Sequence, residues 1–200
     1  MDVLVLGHSF VRRLGEFCDK EDSYGNLKLY PHRFNIHFLG FGGAHIANLR
    51  AAIPNVWEME PAIVVLQIGG NDISFTNQNA TLIGQSIVDF AKVLLQTPTV
   101  KQVVICKLHY RYQVPGQRRM PLQYNLCVDQ INTHLGDLTR DIAQITVQPH
   151  RGMFQNWQSL RAPDGIHLNA LGMNKYFTSI RGSIIDAHNI LTAPLAVSRR

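Results

Sequence analysis

Five short aliphatic runs, separated by stretches of helical period, constrain this chain more than any other feature. They are Val3–Leu6, Phe34–Leu39, Ala62–Ile68, Val103–Cys106 and Ile145–Val147. Continuous runs of Val, Ile and Leu suit strands buried on both faces of a parallel sheet. Between them, apolar residues recur every three or four positions. Ile46, Leu49, Ile53 and Val56 form one set, and Ile83, Ile87, Phe90 and Leu94 another. Tyr124, Val128, Ile131, Leu135, Leu138 and Ile142 form the longest, and Met173, Phe177, Ile180 and Ile184 the last. A first helix is predicted from Ser9 to about Cys18. Strand and helix alternate without an internal repeat or a low-complexity linker. The expected fold class is therefore α/β, a three-layer α/β/α sandwich around a five-stranded parallel sheet. A single domain is expected over residues 1–190, with 191–200 as a C-terminal tail.

Composition narrows the chemistry. The 46% hydrophobic content over 200 residues is that of an ordinary globular chain with a real core. No apolar run approaches a transmembrane length, and the N-terminus lacks the basic flank and long apolar stretch of a secretion signal, so an intracellular, cytoplasmic protein is expected. The three cysteines, Cys18, Cys106 and Cys127, are widely spaced and form no Cys-x-x-Cys. Buried free thiols are expected rather than a disulfide framework or a zinc site. The net charge of +5 permits an anionic partner without demanding one. Part of the excess falls in Arg111, Arg118 and Arg119, on a loop from His109 to Pro121 that reads as polar and exposed. Such a loop is either a plain solvated connection or a contact for anionic lipid or nucleic acid.

In an open α/β sheet, ligands bind beyond the carboxyl ends of the strands. Ser9 follows the first strand, Gly42 and Gly43 the second, Gly70 and Asn71 the third, and Asp164-Gly165-Ile166-His167 the fifth. Each has a plain structural reading. Ser9, Asn71 and Asp72 suit helix caps, and Gly-Gly suits a turn. Asp164 with His167 suits a surface pair or two ligands of a metal. No His-Glu-x-x-His or His/Cys cluster accompanies them to favour a metal. Together the four segments offer a hydroxyl, an imidazole, a carboxylate and N–H donors, the set that acyl transfer requires. There is no Gly-x-Ser-x-Gly elbow, no phosphate-binding loop and no complete dinucleotide fingerprint.

With these residues in view, the chain resembles the SGNH (GDSL-like) hydrolases. Gly7-His8-Ser9 resembles the family's nucleophile block, Gly42-Gly43 its second block, Gly69-Gly70-Asn71-Asp72 its third and Asp164-Gly165-Ile166-His167-Leu168 its last. The resemblance runs in family order from residue 7 to 168. It implies the flavodoxin-like SGNH fold and a serine esterase with no cofactor or metal. Ser9, His167 and Asp164 would be the catalytic triad, and Ser9, Gly43 and Asn71 the oxyanion hole. The substrate would be a small-molecule or lipid ester. His8 stands where the family usually has Asp, and its titration would perturb the pH profile. His8, His109, Phe154 and Trp157 are candidate substrate-lining residues. The segment Met153–Trp157 either walls an acyl pocket or plugs the sheet edge. Two other readings stay open: a catalytically silent SGNH-like scaffold binding anionic lipid or RNA, and a flavodoxin-like nucleotide binder. Nothing in the sequence bears on oligomeric state.

Overall fold

Parallel pairing orders the five strands β2-β1-β3-β4-β5. They are β1 (Asp2–Gly7), β2 (Asn35–Gly40), β3 (Ile63–Gln67), β4 (Gln102–Cys106) and β5 (Ile145–Gln148). A computed structural model describes residues 1–20, 22–75, 79–115 and 119–193, with residues 22 and 23 by backbone only. The helices are α1 (Ser9–Cys18), α2 (Ile46–Leu49), α3 (Ile53–Met59), α4 (Gly70–Phe75), α5 (Ala80–Leu94), α6 (Pro121–Thr139) and α7 (Ala170–Thr192). The predicted α/β architecture and its five parallel strands are what is observed.

Side chains alternate across the sheet with the strand period of two. Val3, Val5, Ile63, Val65, Val104 and Cys106 pack on one face with Phe10, Leu14, Tyr176, Ile180 and Ile184 from α1 and α7. Leu4, Leu6, Val64, Leu66, Val103 and Ile105 pack on the other with Val56, Ile87, Phe90, Val128 and Ile131 from α3, α5 and α6. The chain moves outward from β1 to β2, then crosses back to β3 on the other side. That reversal sets the switch point of the sheet at the carboxyl ends of β1 and β3, the place where open α/β sheets bind ligands.

Several expectations need correction. The single helix expected from Ile46 to Val56 is two, α2 and α3, joined by a 3-10 turn at Arg50–Ala52. Pro54 is the reason: it has no N–H and crowds the carbonyl four residues back, so it begins a helix instead of continuing one. The short α4 is an addition to the expected elements, and Asn71 and Asp72, which suit helix caps in the sequence, lie inside its first turn. Ile142 lies beyond the end of α6. Helix α7 runs on to Thr192, so the part of the expected tail at Leu191 and Thr192 is helical, and residues 194–200 lie outside the described ones. Among the described residues, no helix is long and apolar enough to cross a membrane.

Candidate active site

Ser9 opens α1 directly at the end of β1 and is 8% exposed. The turn that carries it is tied on both sides. The His8 N–H donates to the Gln67 carbonyl at the end of β3 (3.1 Å), and the Phe41 N–H donates to the Gly7 carbonyl (2.9 Å). A Cβ on Gly7 would lie 2.2 Å from the Gln67 oxygen, so only glycine lets β1 and β3 close at this point. His8 is the N-cap of α1, its Nδ1 accepting from the Phe10 N–H at 3.3 Å. At 3% exposure it sits behind Ser9 and not on an open wall. Burial, with help from the positive charge of Arg111, pushes its pKa down to about 3. His8 therefore stays neutral across the physiological range, which corrects the expectation that it titrates beside Ser9.

Asp164 and His167 share one tight turn before α7. Oδ1 of Asp164 accepts the backbone N–H groups of Ile166 and His167, both at 2.9 Å. Gly165 adopts φ +66°, which the turn requires. Oδ2 lies 2.7 Å from Nδ1 of His167, and Nε2 of His167 lies 3.0 Å from Oγ of Ser9. An ionised carboxylate only accepts, so Nδ1 carries the proton and Nε2 is free to accept from the Ser9 hydroxyl. Burial alone would raise the Asp164 pKa. The hydrogen bonds from the His167 ring and from the His167 and Ile166 backbone outweigh it and bring the pKa down to about 2. Burial also holds His167 below the usual imidazole value, against the opposing pull of Asp164. The pair is thus a carboxylate and a neutral imidazole at neutral pH.

Asn71 and Asp72, in the first turn of α4, anchor the loop after β2. The Asn71 Nδ2 donates to the Ala44 carbonyl (2.9 Å), and the Asp72 carboxylate accepts the Ile46 N–H (3.2 and 3.3 Å). Two consecutive side chains thereby hold the loop that carries Gly43, itself at φ +72°. One Nδ2 hydrogen of Asn71 is used by Ala44, and the second remains for another acceptor.

Arg111 falls in this constellation, although the sequence placed it on an exposed loop. It is 2% exposed and donates through Nη2 to Asn71 Oδ1 (3.1 Å) and through Nη1 to Ser74 Oγ (2.9 Å). Its backbone is clipped by Asn125, which accepts the Arg111 N–H and donates to its carbonyl. Arg111 is therefore unavailable as a surface contact for lipid or nucleic acid. Arg119 is half-buried, donating to the Ile73 carbonyl and to Cys127 Sγ, and Arg118 lies outside the described residues. No sequence signal marks Arg111, since Tyr110-Arg111-Tyr112 has the composition of a solvated loop.

The remaining candidates divide. His109 is 5% exposed, stacked between Phe10 (5.1 Å) and His150 (4.8 Å), so it is a core residue and not a substrate-lining one. Met153 is buried in the core. Phe154 and Trp157 are half-buried and cluster with Tyr110, while Trp157 also meets Tyr112, whose N–H donates to Gly165 (2.8 Å). That aromatic cluster borders the Asp164–His167 turn. Among the described residues, no group of three or more His, Cys, Asp or Glu gathers to hold a metal ion.

The sequence matches the profile of the GDSL-like Lipase/Acylhydrolase family over residues 5–175. No curated protein matches it in sequence. Among solved structures, an acetyl xylan esterase, AlAXEase, superposes with a TM-score of 0.68 at 17% identity, covering 92% of this chain and 100% of its own. A GDSL-like lipase from Bacteroides thetaiotaomicron gives 0.70 at 14% identity, covering 93% and 88%. A lipase/acylhydrolase from Enterococcus faecalis gives 0.69 at 14% identity, covering 92% and 94%. These likenesses show a shared fold.

Proposed function

Since the chain belongs to the GDSL-like lipase/acylhydrolase family, and so to the carboxylic ester hydrolases, we propose that it cleaves carboxylic esters through a covalent acyl-enzyme on Ser9. The observation that carries this reading is the unbroken hydrogen-bonded chain from Ser9 Oγ through His167 to Asp164, at 3.0 and 2.7 Å. The neutral His167 takes the Ser9 proton as Oγ attacks the acyl carbon, then passes it to the departing alcohol. Asp164 holds the ring with Nε2 toward Ser9 and stabilises the imidazolium that forms. Water enters after the alcohol leaves. His167 takes a proton from it and returns that proton to Ser9, releasing the acid.

In this reading the backbone N–H groups of Ser9 and Gly43 and the second Nδ2 hydrogen of Asn71 bind the tetrahedral oxyanion. Three features support that assignment. Ser9 begins a helix, where backbone N–H groups lack partners within the helix. Gly43 has the left-handed turn conformation. Asn71 is anchored to the same loop through Ala44. The half-buried Phe154 and Trp157, beside the Asp164–His167 turn, are the residues proposed to meet the acyl or alcohol portion. The test is hydrolysis of short- and medium-chain p-nitrophenyl esters by the wild-type protein and by Ser9→Ala. The expected result is turnover that disappears in the variant. Turnover that survives in folded Ser9→Ala would refute the assignment.

A further inference from the structure

We propose that Arg111 is a positioning residue of the oxyanion site, acting through Asn71; the proposal rests on the assignment of Asn71 made above. Arg111 is a permanent cation placed deep in the protein, 2% exposed, and it forms no ion pair among the described residues. A buried charge without a counter-charge is costly. The fold nevertheless builds a cage for it. Ser74 Oγ accepts from Nη1 and itself donates to the Gly70 carbonyl (3.1 Å), so one turn of α4 fixes the guanidinium. The Tyr124 ring lies 5.0 Å beneath it, and Asn125 clips its backbone from α6. The cage places Nη2 as a donor 3.1 Å from Asn71 Oδ1.

That contact decides two things about Asn71. A guanidinium has no acceptor, so it pairs only with the oxygen end of the amide. The Asn71 side chain is thereby barred from flipping, and its Nδ2 hydrogens face Ala44 and the proposed oxyanion position. A positive charge on Oδ1 also polarises the amide and makes its N–H groups stronger donors. That charge adds to the stabilisation of the oxyanion as it forms, while the neutral ester gains little. Arg111 should therefore raise kcat and leave KM nearly unchanged.

The experiment is a double-mutant cycle on p-nitrophenyl acetate with Arg111→Met, Asn71→Ala and the double variant, each checked for folding by circular dichroism. Where turnover falls below background, the rate of Ser9 phosphonylation by a fluorophosphonate is read in its place. Arg111→Met is expected to lower kcat by about 10- to 100-fold with KM within about twofold, less than the loss of a direct donor. In the Asn71→Ala background the same change should cost less than about threefold, because the residue through which it acts is gone. Arg111→Lys, which keeps a charge but not the planar fork, should fall between, and it takes over the cycle if the Met variant does not fold. Equal losses in both backgrounds would mean that Arg111 only supports the local packing, and would overturn the proposal. Turnover left unchanged by Asn71→Ala alone would overturn the underlying assignment of Asn71 instead, so the two failures are told apart.

Discussion

Replacing Asp164 by asparagine isolates the part of the site that is built locally. Asp164 makes three hydrogen bonds, Oδ1 accepting two backbone N–H groups at 2.9 Å and Oδ2 accepting His167 Nδ1–H at 2.7 Å, and Arg13 Nη2 lies 4.0 Å from Oδ2. An asparagine of the same shape has one oxygen. If that oxygen stays on the two backbone donors, an NH2 group faces His167. If it turns toward His167, two N–H donors meet an NH2 group and both lose their acceptor. Two neutral hydrogen bonds at about 1 kcal/mol each outweigh one, so the first arrangement wins. His167 must then accept at Nδ1 and carry its proton on Nε2, facing Ser9. A protonated Nε2 cannot take the Ser9 proton. The same change of tautomer in another serine hydrolase costs about 10⁴-fold in kcat, which is about 5.5 kcal/mol of barrier. The side chain of Asp164 is 41% exposed, so the stability change is small, about 1 kcal/mol or less, or about 2–4 °C in Tm. The assay pairs p-nitrophenyl acetate turnover with thermal melts. A folded Asp164→Asn variant losing less than about tenfold would refute the tautomer argument.

The acid limb of kcat/KM should have its midpoint below pH 6.5, because burial lowers the His167 pKa and the neutral ring is the active base, present above that pKa; a midpoint above 7 would contradict this. Gly40→Ala should destabilise the protein by at least the about 1–3 kcal/mol of an overpacked core, measured by urea denaturation, since its Cβ would lie 2.1 Å from the Arg12 backbone nitrogen where α1 crosses β2. Burial raises the Cys18 pKa to about 12 and pushes that of Cys106 higher still. Neither thiol should react with a disulfide reagent in the native protein at pH 8, leaving the half-buried Cys127 as the reactive one, and all three should react in denaturant. Rapid native titration of three thiols would mean that the packing around α1 and β4 is looser than described.

Some of this protein is local, and the sequence by itself determined it. Strands Val3–Leu6 and Val103–Cys106 are legible because their side chains are apolar at every position, as a doubly covered sheet demands. Asp164 and His167 are three residues apart around Gly165, so their hydrogen bond closes within one turn wherever the rest of the chain goes. The glycine at position 7 likewise announces a tight exit from β1. Other features depend on which segments meet. Ser9 and His167 are 158 residues apart, and only the parallel stacking of β1 and β3, with α7 returning beneath them, brings them to 3.0 Å. Arg111 and His109 are the plainest cases. Their neighbours in the sequence are polar and basic, yet Phe10, His150, Tyr124, and Asn71 with Ser74 close over them from four separate parts of the chain. Whether a loop side chain keeps its water is decided by the surfaces that pack against it, and those are distant in sequence. The tertiary structure alone therefore turned a residue of an apparently solvated loop into a buried cation behind Asn71.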